Sequence, residues 1–314
     1  MARYFEPPED YKPAELLIFQ LRERLEGGNL LPNVRQEPPL DPYARIEAVV
    51  LVHGFNNHYG EAGKSYHHFR LRQYERAVPQ LPPPGLEAIL ADLFWPGDAA
   101  WWGFLDLFDF LVYPKAVGTA RDAAPLLARH LRSMPNLRTV HFVGHSLGCR
   151  IILKTIDDIL RYGGPTVGKV CLMAAAVPLF KVQSGGELAD AMEHAGHVGE
   201  VRILYSDDDW VLRDTFPPGQ TLARGNDEGF FPTALGLHGP LGVAARTDPF
   251  DITDARHGDY WGDSEQPPAS LAADRIAEFF HFGSWQRTIA SRGAGMAPRP
   301  STADSREVGY AREI

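Results

Sequence analysis

The residues of this sequence best suited to chemistry form the pentapeptide Gly-His-Ser-Leu-Gly at positions 144–148. A valine-rich segment, predicted as a buried strand, leads into it, and an amphipathic segment, predicted as a helix, leads out. So tight a turn strains its central residue, and the strain is tolerated when the flanking positions lack side chains. We therefore predict that Ser146 projects its hydroxyl above a sheet as a nucleophile. The alternative is a serine that only caps the helix.

Attack on a carbonyl also requires hydrogen-bond donors for the oxyanion that forms. The N–H of Leu147, at the positive end of the predicted helix, is one candidate. A second donor is expected from the loop after an earlier strand, where the sequence reads HGFNN at positions 53–57. Gly54 allows a close approach of the backbone, so the Phe55 N–H is the predicted second donor. We interpret His53 as a residue that holds this loop by hydrogen bonds rather than as a base.

A serine nucleophile needs a histidine to take its proton and a carboxylate to hold that histidine in the right tautomer. In proteins with this kind of turn, the acid and then the histidine follow the serine along the chain. Three adjacent aspartates, Asp207, Asp208 and Asp209, follow a predicted strand. Adjacent like charges favour solvated positions, so one of them is expected to face the site. Because an apolar run follows Asp209 and should anchor it, Asp209 is the predicted acid, with Asp207 as the alternative.

The base is expected in a loop that precedes the last helix. His257 lies in such a loop, beside a glycine and before the proline pair at 267–268. His238 is the competing candidate, and His281 is predicted to lie inside the final helix. We therefore predict that His257 is the general base.

The surrounding chain is predicted to alternate strands and helices. Apolar strands separated by helices are typical of an α/β fold, with a parallel sheet covered on both faces and ligands bound beyond the carboxyl ends of the strands. Strands are predicted at 48–55, 86–95, 139–145, 167–177 and 200–206, and helices at 113–133, 146–162, 187–194 and 269–282.

These residues resemble the α/β-hydrolase superfamily from about residue 46 to residue 282. More narrowly, the chain resembles serine esterase or lipase-like members that share three motifs. These motifs are a V-H-G-[FY]-N loop, a W-P pair and an N-D-W-[VI]-L segment, here at 52–56, 95–96 and 208–212. The last match supports Asp209, with Asp208 at the position of the family's asparagine. In these relatives a tyrosine follows the histidine by two residues, whereas Tyr260 follows His257 by three. The resemblance implies an α/β-hydrolase fold and hydrolysis of esters or related acyl compounds.

The resemblance also implies further strands at the start of the fold. Residues 1–45 are rich in proline around one helical pattern at 16–25, so we predict a sheet shortened at its N-terminus. The expected organisation is an N-terminal extension with one helix at 1–45 and a hydrolase domain at 46–285. An aromatic cap or lid is expected at about 96–114 and a disordered tail at 286–314.

Aromatic residues cluster between 95 and 113, after the carboxyl end of a predicted strand. They are expected to wall an acyl pocket, to form a lid or to touch a lipid surface, or else to bury into the body as an ordinary cap. In each case we expect a preference for apolar acyl groups. The residues predicted to contact substrate are Trp95, Trp101, Trp102, Phe104, His145 and Tyr260.

Composition and the remaining motifs exclude several classes of protein. The formal net charge of −9 argues against a nucleic-acid partner, and the absence of a G-x-G-x-x-G motif argues against a nucleotide-binding domain. Cys149 and Cys171 cannot form a disulfide framework.

The histidines at 58, 67 and 68 lack carboxylates or cysteines at ligand spacing, so no metal is predicted. The first residues do not read as a secretory signal, and the apolar stretch at 101–112 is too short to span a membrane. A cytoplasmic protein without a cofactor is expected.

The sequence thus predicts a serine hydrolase that cleaves carboxylic esters through an acyl-enzyme. A thioesterase or an amidase would use the same residues, and a non-catalytic hydrolase-like binding module is the alternative from another class. The set of serine, acid and histidine argues against the binding module. The substrate is expected to be a small ester, and the sequence predicts no oligomeric state.

Overall fold

The computed structural model describes residues 16–22, 30–55, 59–77, 85–97, 106–198, 200–223, 228–243, 245–262 and 264–282 of the chain. In this part of the chain eight strands form one sheet in the order β2-β1-β4-β3-β5-β6-β7-β8. The strands are β1 Leu17–Gln20, β2 Arg35–Glu37, β3 Glu47–Val52, β4 Leu90–Phe94, β5 Thr139–His145, β6 Thr166–Met173, β7 Val201–Tyr205 and β8 Thr247–Asp251. All neighbouring strands are parallel except β1 and β2, which are antiparallel at one edge.

Helices cover both faces of the sheet. They are α1 Tyr59–Ala77, α2 Asp106–Ser133, α3 Gly148–Tyr162, α4 Leu179–Val182, α5 Ala189–Val198, α6 Phe216–Leu222, α7 Leu235–His238 and α8 Pro267–Phe280. Side chains alternate along each strand, so β3 sends Val50 and Val52 into the core below α2 and α3, and Val49 and Leu51 into the core below α1 and α8. Burial on both faces explains why these strands are apolar throughout. The predicted α/β class with a mostly parallel sheet is confirmed.

The N-terminal segment contradicts two predictions. Residues 17–20, predicted as part of a helix, form β1, and residues 35–37 form β2, so the sheet is not shortened. Leu17 and Phe19 enter one core while Ile18 enters the other, which is the alternation of a strand. A short apolar run fits a buried strand as well as a helix, and the prolines stand outside both strands.

Other elements differ in extent from the prediction. Helix α1 and strand β8 were not predicted, and α2 begins at residue 106, inside the segment 96–114 that was expected to form a cap. Trp101, Trp102 and Phe104 lie outside the described residues, as does the tail at 286–314 that was expected to be disordered. No helix in the described ranges is long and apolar enough to span a membrane.

Candidate active site

Ser146 occupies the turn between β5 and α3, at the carboxyl end of the sheet. Its φ is +53°, in the left-handed region that residues with side chains seldom adopt. Its N–H donates to the carbonyl of Met173 at 2.9 Å, and its own carbonyl accepts from the N–H of Ala176 at 3.1 Å. These two bonds tie the strained turn to the end of the neighbouring strand β6. Surrounding structure therefore holds the conformation in place.

The two glycines of the pentapeptide are explained by close packing rather than by their φ angles, and the packing is stricter at Gly148 than at Gly144. A Cβ atom on Gly148 would stand 2.4 Å from the carbonyl oxygen of His53, which is backbone and cannot move aside. A Cβ atom on Gly144 would stand 2.3 Å from the Cδ1 atom of Ile152, at the end of a side chain. The spacing G-x-S-x-G thus lets α3 begin directly against the end of β3.

The structure brings Ser146, His257 and Asp209 together from three separate parts of the chain. His257 Nε2 lies 2.8 Å from Ser146 Oγ, and His257 Nδ1 lies 2.7 Å from Asp209 Oδ2. Asp209 can only accept as a carboxylate, so Nδ1 carries a proton and Nε2 is left to accept the serine proton. The Asp209 side chain is fully buried, whereas 18 % of the His257 side chain is exposed.

Asp209 is held by the start of the helical segment that follows it. Its Oδ1 accepts the N–H of Leu212 at 3.1 Å, while its own N–H donates to the carbonyl of Ser206 at 3.2 Å. Leu212 is fully buried, but Trp210 is 53 % exposed, so one residue of the apolar run provides the anchor. Both carboxylate oxygens of Asp209 are therefore engaged, and its orientation is fixed.

The competing candidates lie elsewhere. Asp207 and His238 are exposed and form a pair of their own. Asp208 is exposed as well. His281 is the residue directly after α8, with a φ of +52°, rather than a residue inside it.

The loop after β3 lies directly against Ser146. A Cβ atom on Gly54 would stand 2.9 Å from Ser146 Cβ, so only glycine permits this approach. Among the described residues, the N–H groups of Phe55 and Leu147 make no hydrogen bond. Leu147 also stands at the N-terminus of the 15-residue helix α3, where the helix dipole favours negative charge. Within the described part of the chain, both amides thus have no acceptor, as a donor to an anion would require.

His53 locks the loops after β3 and β4 to each other. Its Nδ1 donates to the Gly54 carbonyl at 2.8 Å, and its Nε2 accepts the N–H of Trp95 at 3.3 Å. Trp95 Nε1 in turn donates to the carbonyl of His53 at 2.8 Å. Burial lowers the pKa of His53 to about 3, so its ring stays neutral in this network. His53 does not contact the serine hydroxyl, in agreement with the structural role predicted for it.

Trp95 and Tyr260, which were predicted to contact substrate, are both covered by protein. Their exposures are 0 % and 1 %, and Trp95 stacks on His53 while the ring of Tyr260 lies 6.1 Å from that of His145. His145 is 6 % exposed, and its Nε2 contacts the backbone of His257 rather than an open pocket. Aromatic residues near a site can thus be structural, and sequence position does not reveal their burial.

Two contributors to the site were missed by the predicted substrate set. Tyr113 is half-buried and packs edge-to-face on Phe55, with ring centroids 5.6 Å apart, and its hydroxyl accepts from Gln220 Nε2 at 2.7 Å. Tyr66, on α1, accepts the His53 N–H at 2.9 Å and donates to the carbonyl of Leu93. Tyr66 follows Ala62 and precedes Phe69 at helical spacing, a pattern that indicates a buried helix face.

A strand, a tight turn with positive φ at serine and a helix, all at the centre of a mostly parallel sheet, fit an α/β-hydrolase fold. Among the described residues no three histidine, cysteine, aspartate or glutamate side chains converge as metal ligands. Cys149 and Cys171 are free and buried.

No family model and no curated protein matches the sequence. Among solved structures, the chain is similar to an esterase of Pyrobaculum calidifontis at 17 % identity, with a TM-score of 0.42 and 77 % of each chain covered. It is similar to carboxyl esterase 2 of Tuber melanosporum at 14 % identity and a TM-score of 0.39, over 76 % of this chain and 78 % of that one. A third similarity is to fungal esterases of Rhizomucor miehei at 9 % identity and a TM-score of 0.42, over 79 % and 76 %. At these values the likeness assigns no activity, so the functional conclusion depends on the geometry around Ser146.

Proposed function

We propose that this chain is a serine hydrolase that cleaves carboxylic esters through an acyl-enzyme. The observation that carries the proposal is the chain of two hydrogen bonds from Ser146 Oγ through His257 to Asp209, at 2.8 and 2.7 Å. It begins at a serine held with positive φ. Such strain is kept where function requires a side chain to be presented. A non-catalytic binding module would have no need of this arrangement.

The residues divide the reaction among them. His257 Nε2 takes the proton of Ser146 as Oγ attacks the ester carbonyl, and it then gives that proton to the departing alcohol. Asp209 keeps Nδ1 protonated and stabilises the charged imidazole. The Phe55 and Leu147 amides donate to the oxyanion. Water then attacks the acyl-enzyme as His257 takes its proton, and the acyl–Oγ bond breaks to release the acid. His257 returns that proton to Oγ, which regenerates Ser146.

The substrate side of the proposal rests on the apolar surroundings of the serine. Phe55, which follows the glycine that lies against Ser146, forms a half-buried aromatic pair with Tyr113. We therefore expect small esters with apolar acyl groups as substrates, and no cofactor is needed for the chemistry. The same residues would also serve thioesters and amides. These substrates differ from esters in the leaving group, so an activity panel must compare the three classes.

Hydrolysis of a panel of esters of increasing acyl length, with a matched thioester and amide, tests the proposal. Ser146→Ala should lower kcat by about 10³-fold or more, because the attacking atom is lost. Ser184→Ala, at an exposed serine, is the matched control and should leave turnover unchanged. Absence of turnover by the parent on every member of the panel, or equal loss in both variants, would contradict the proposal.

A further inference from the structure

The imidazole of His145 lies between the loop of the proposed base and the loop of a proposed oxyanion donor. Its Nε2 lies 2.6 Å from the backbone carbonyl oxygen of His257, and since a carbonyl only accepts, Nε2 donates. Its Nδ1 faces Gly54, where a Cβ atom would stand 3.0 Å away. His145 immediately precedes Ser146, so its side chain ties the nucleophile strand to the loop of His257 and packs against the loop of Gly54.

The turn that carries His257 is closed by local bonds that do not reach the nucleophile. The Asp259 N–H donates to the Arg256 carbonyl at 3.0 Å, and the Arg256 N–H donates to Asp259 Oδ2 at 2.8 Å. These bonds set the shape of the turn but not its height above Ser146. The bond from His145 is made to the backbone of His257 itself, so it acts directly on the position of that residue.

The hydrogen bond from His145 to the His257 carbonyl should persist over a wide pH range, because the ring of His145 stays neutral. Burial, with the neighbouring His257 adding to it, lowers the pKa of His145 to about 3. A neutral ring donates from one nitrogen only, and the donating nitrogen is the one that faces His257. The ring is packed between those of Tyr260 and Trp261, each 6.1 Å away, and that of His257 at 4.8 Å. The bond to His257 therefore fixes the tautomer of His145, and the surrounding rings pack against its imidazole.

We propose that His145 is a positioning residue, which holds the backbone of His257 where the imidazole reaches both Ser146 and Asp209. This inference rests on the proposed function, because it assigns His145 a role in placing the base of that reaction. His145 does not touch the reacting atoms. It acts through His257. A displacement of about 1 Å in a catalytic group lowers the rate of the reaction by about 10²-fold.

Glutamine and leucine at position 145 form the test pair. The amide nitrogen of glutamine stands the same number of bonds from Cα as Nε2 of histidine, so His145→Gln can restore the donor, whereas His145→Leu fills the space without one. We expect His145→Leu to lower kcat about 10- to 100-fold with KM little changed, and His145→Gln to recover most of the loss. Equal kcat in two folded variants, as checked by thermal melting, would overturn the proposal.

A second measurement does not depend on turnover. The proton between His257 Nδ1 and Asp209 should give a far-downfield proton NMR signal in the parent and in His145→Gln, and the signal should be lost or displaced in His145→Leu. An unchanged signal in His145→Leu would overturn the proposal. If the leucine variant does not fold, His145→Asn, whose side chain is too short to reach the carbonyl, takes its place. If the parent shows the signal but hydrolyses no ester, the proposed ester hydrolysis is contradicted. The NMR comparison of the variants still tests the positioning role of His145.

Discussion

His238 Nδ1 lies 2.7 Å from Asp207 Oδ1, so the described chain holds a second His–Asp pair that resembles that of His257 and Asp209 in distance but not in surroundings. The Asp207 and His238 side chains are 68 % and 45 % exposed, whereas Asp209 is fully buried. Exposed pairs are screened by water and contribute little, while a buried carboxylate with both oxygens engaged holds its histidine in one orientation. The exposed pair provides a natural control for the buried one.

Replacement of the two aspartates should therefore have unequal effects. We expect Asp209→Asn to lower kcat by about 10³- to 10⁴-fold, because an amide no longer stabilises the protonated histidine or enforces its tautomer. Asp207→Asn should leave kcat nearly unchanged. Steady-state kinetics on one ester check both variants, and a similar loss in the two would show that Asp209 is not the acid.

The two glycines beside Ser146 should differ in their tolerance of a methyl group. Gly148→Ala places a Cβ against backbone oxygens of Val52 and His53, at 2.5 and 2.4 Å, so strand and helix must separate. Gly144→Ala meets the end of the Ile152 side chain at 2.3 Å, and its nearest backbone neighbour, Cys149 N, is 3.3 Å away. We expect Gly148→Ala to lower the free energy of unfolding by about 1–3 kcal/mol and to abolish turnover.

Gly144→Ala should be rescued when Ile152→Val removes the facing methyl group. Thermal melting and kinetics on the single and double variants check this. Equal damage at the two glycines, or the absence of any rescue, would contradict the packing described for this turn.

Buried neutral histidines should make the protein less stable in acid. His53 has a folded pKa of about 3, below its ordinary value of 6.5, because burial disfavours the charged ring. The unfolded chain therefore binds more protons below pH 6.5, and stability that is fully present above this pH is lost as pH falls towards 3. The expected slope is about 1.4 kcal/mol per pH unit for each such histidine.

Urea unfolding of the parent and of His53→Gln at several pH values between 6.5 and 4 measures this contribution. The parent should lose stability more steeply than the variant by about that slope. Parallel curves would show that His53 is not held neutral by burial.

A buried ion pair behind the candidate site should also be sensitive to substitution. Arg150, on α3, makes a two-point pair with Glu228, and their side chains are 1 % and 0 % exposed. Lys181 Nζ lies 3.3 Å from the same carboxylate. Glu228→Gln leaves buried positive charge without its partner, so we expect the free energy of unfolding to fall by about 3–5 kcal/mol.

The double variant Arg150→Met with Glu228→Leu removes both charges and should recover much of that stability. Lys181 keeps Glu187 as a partner at 2.6 Å in either case. Urea unfolding compares the single and double variants. If the double variant is as unstable as Glu228→Gln, the loss of unfolding free energy arises from altered packing rather than from an uncompensated charge.

Local patterns allowed much of the sheet and the candidate site to be predicted. The strand at 139–145 and the pentapeptide after it located Ser146, and chain order then pointed to Asp209 and His257, which the structure brings within hydrogen-bond distance. The local pattern is informative because a strained serine turn needs particular neighbours in sequence. The loop at 53–55 was found because a second donor is expected directly after an earlier strand.

The rest depends on contacts between distant segments. Nothing local distinguishes a helix from a buried strand at 17–20, because the pairing of β1 with β4 decides it. Trp95 and Tyr260 are aromatic residues of the kind that line pockets. Only the packed structure shows that the surrounding protein buries them. The bond from His145 to the backbone of His257 joins residues that no sequence spacing relates.

Reaction with a fluorophosphonate, followed by peptide mass mapping, tests most directly whether Ser146 is a nucleophile activated by His257. We predict one phosphonyl adduct per chain, on the peptide that contains Ser146, with none in Ser146→Ala and much slower labelling in His257→Gln. An intact parent that forms no adduct, or an adduct on a different residue, would contradict the account.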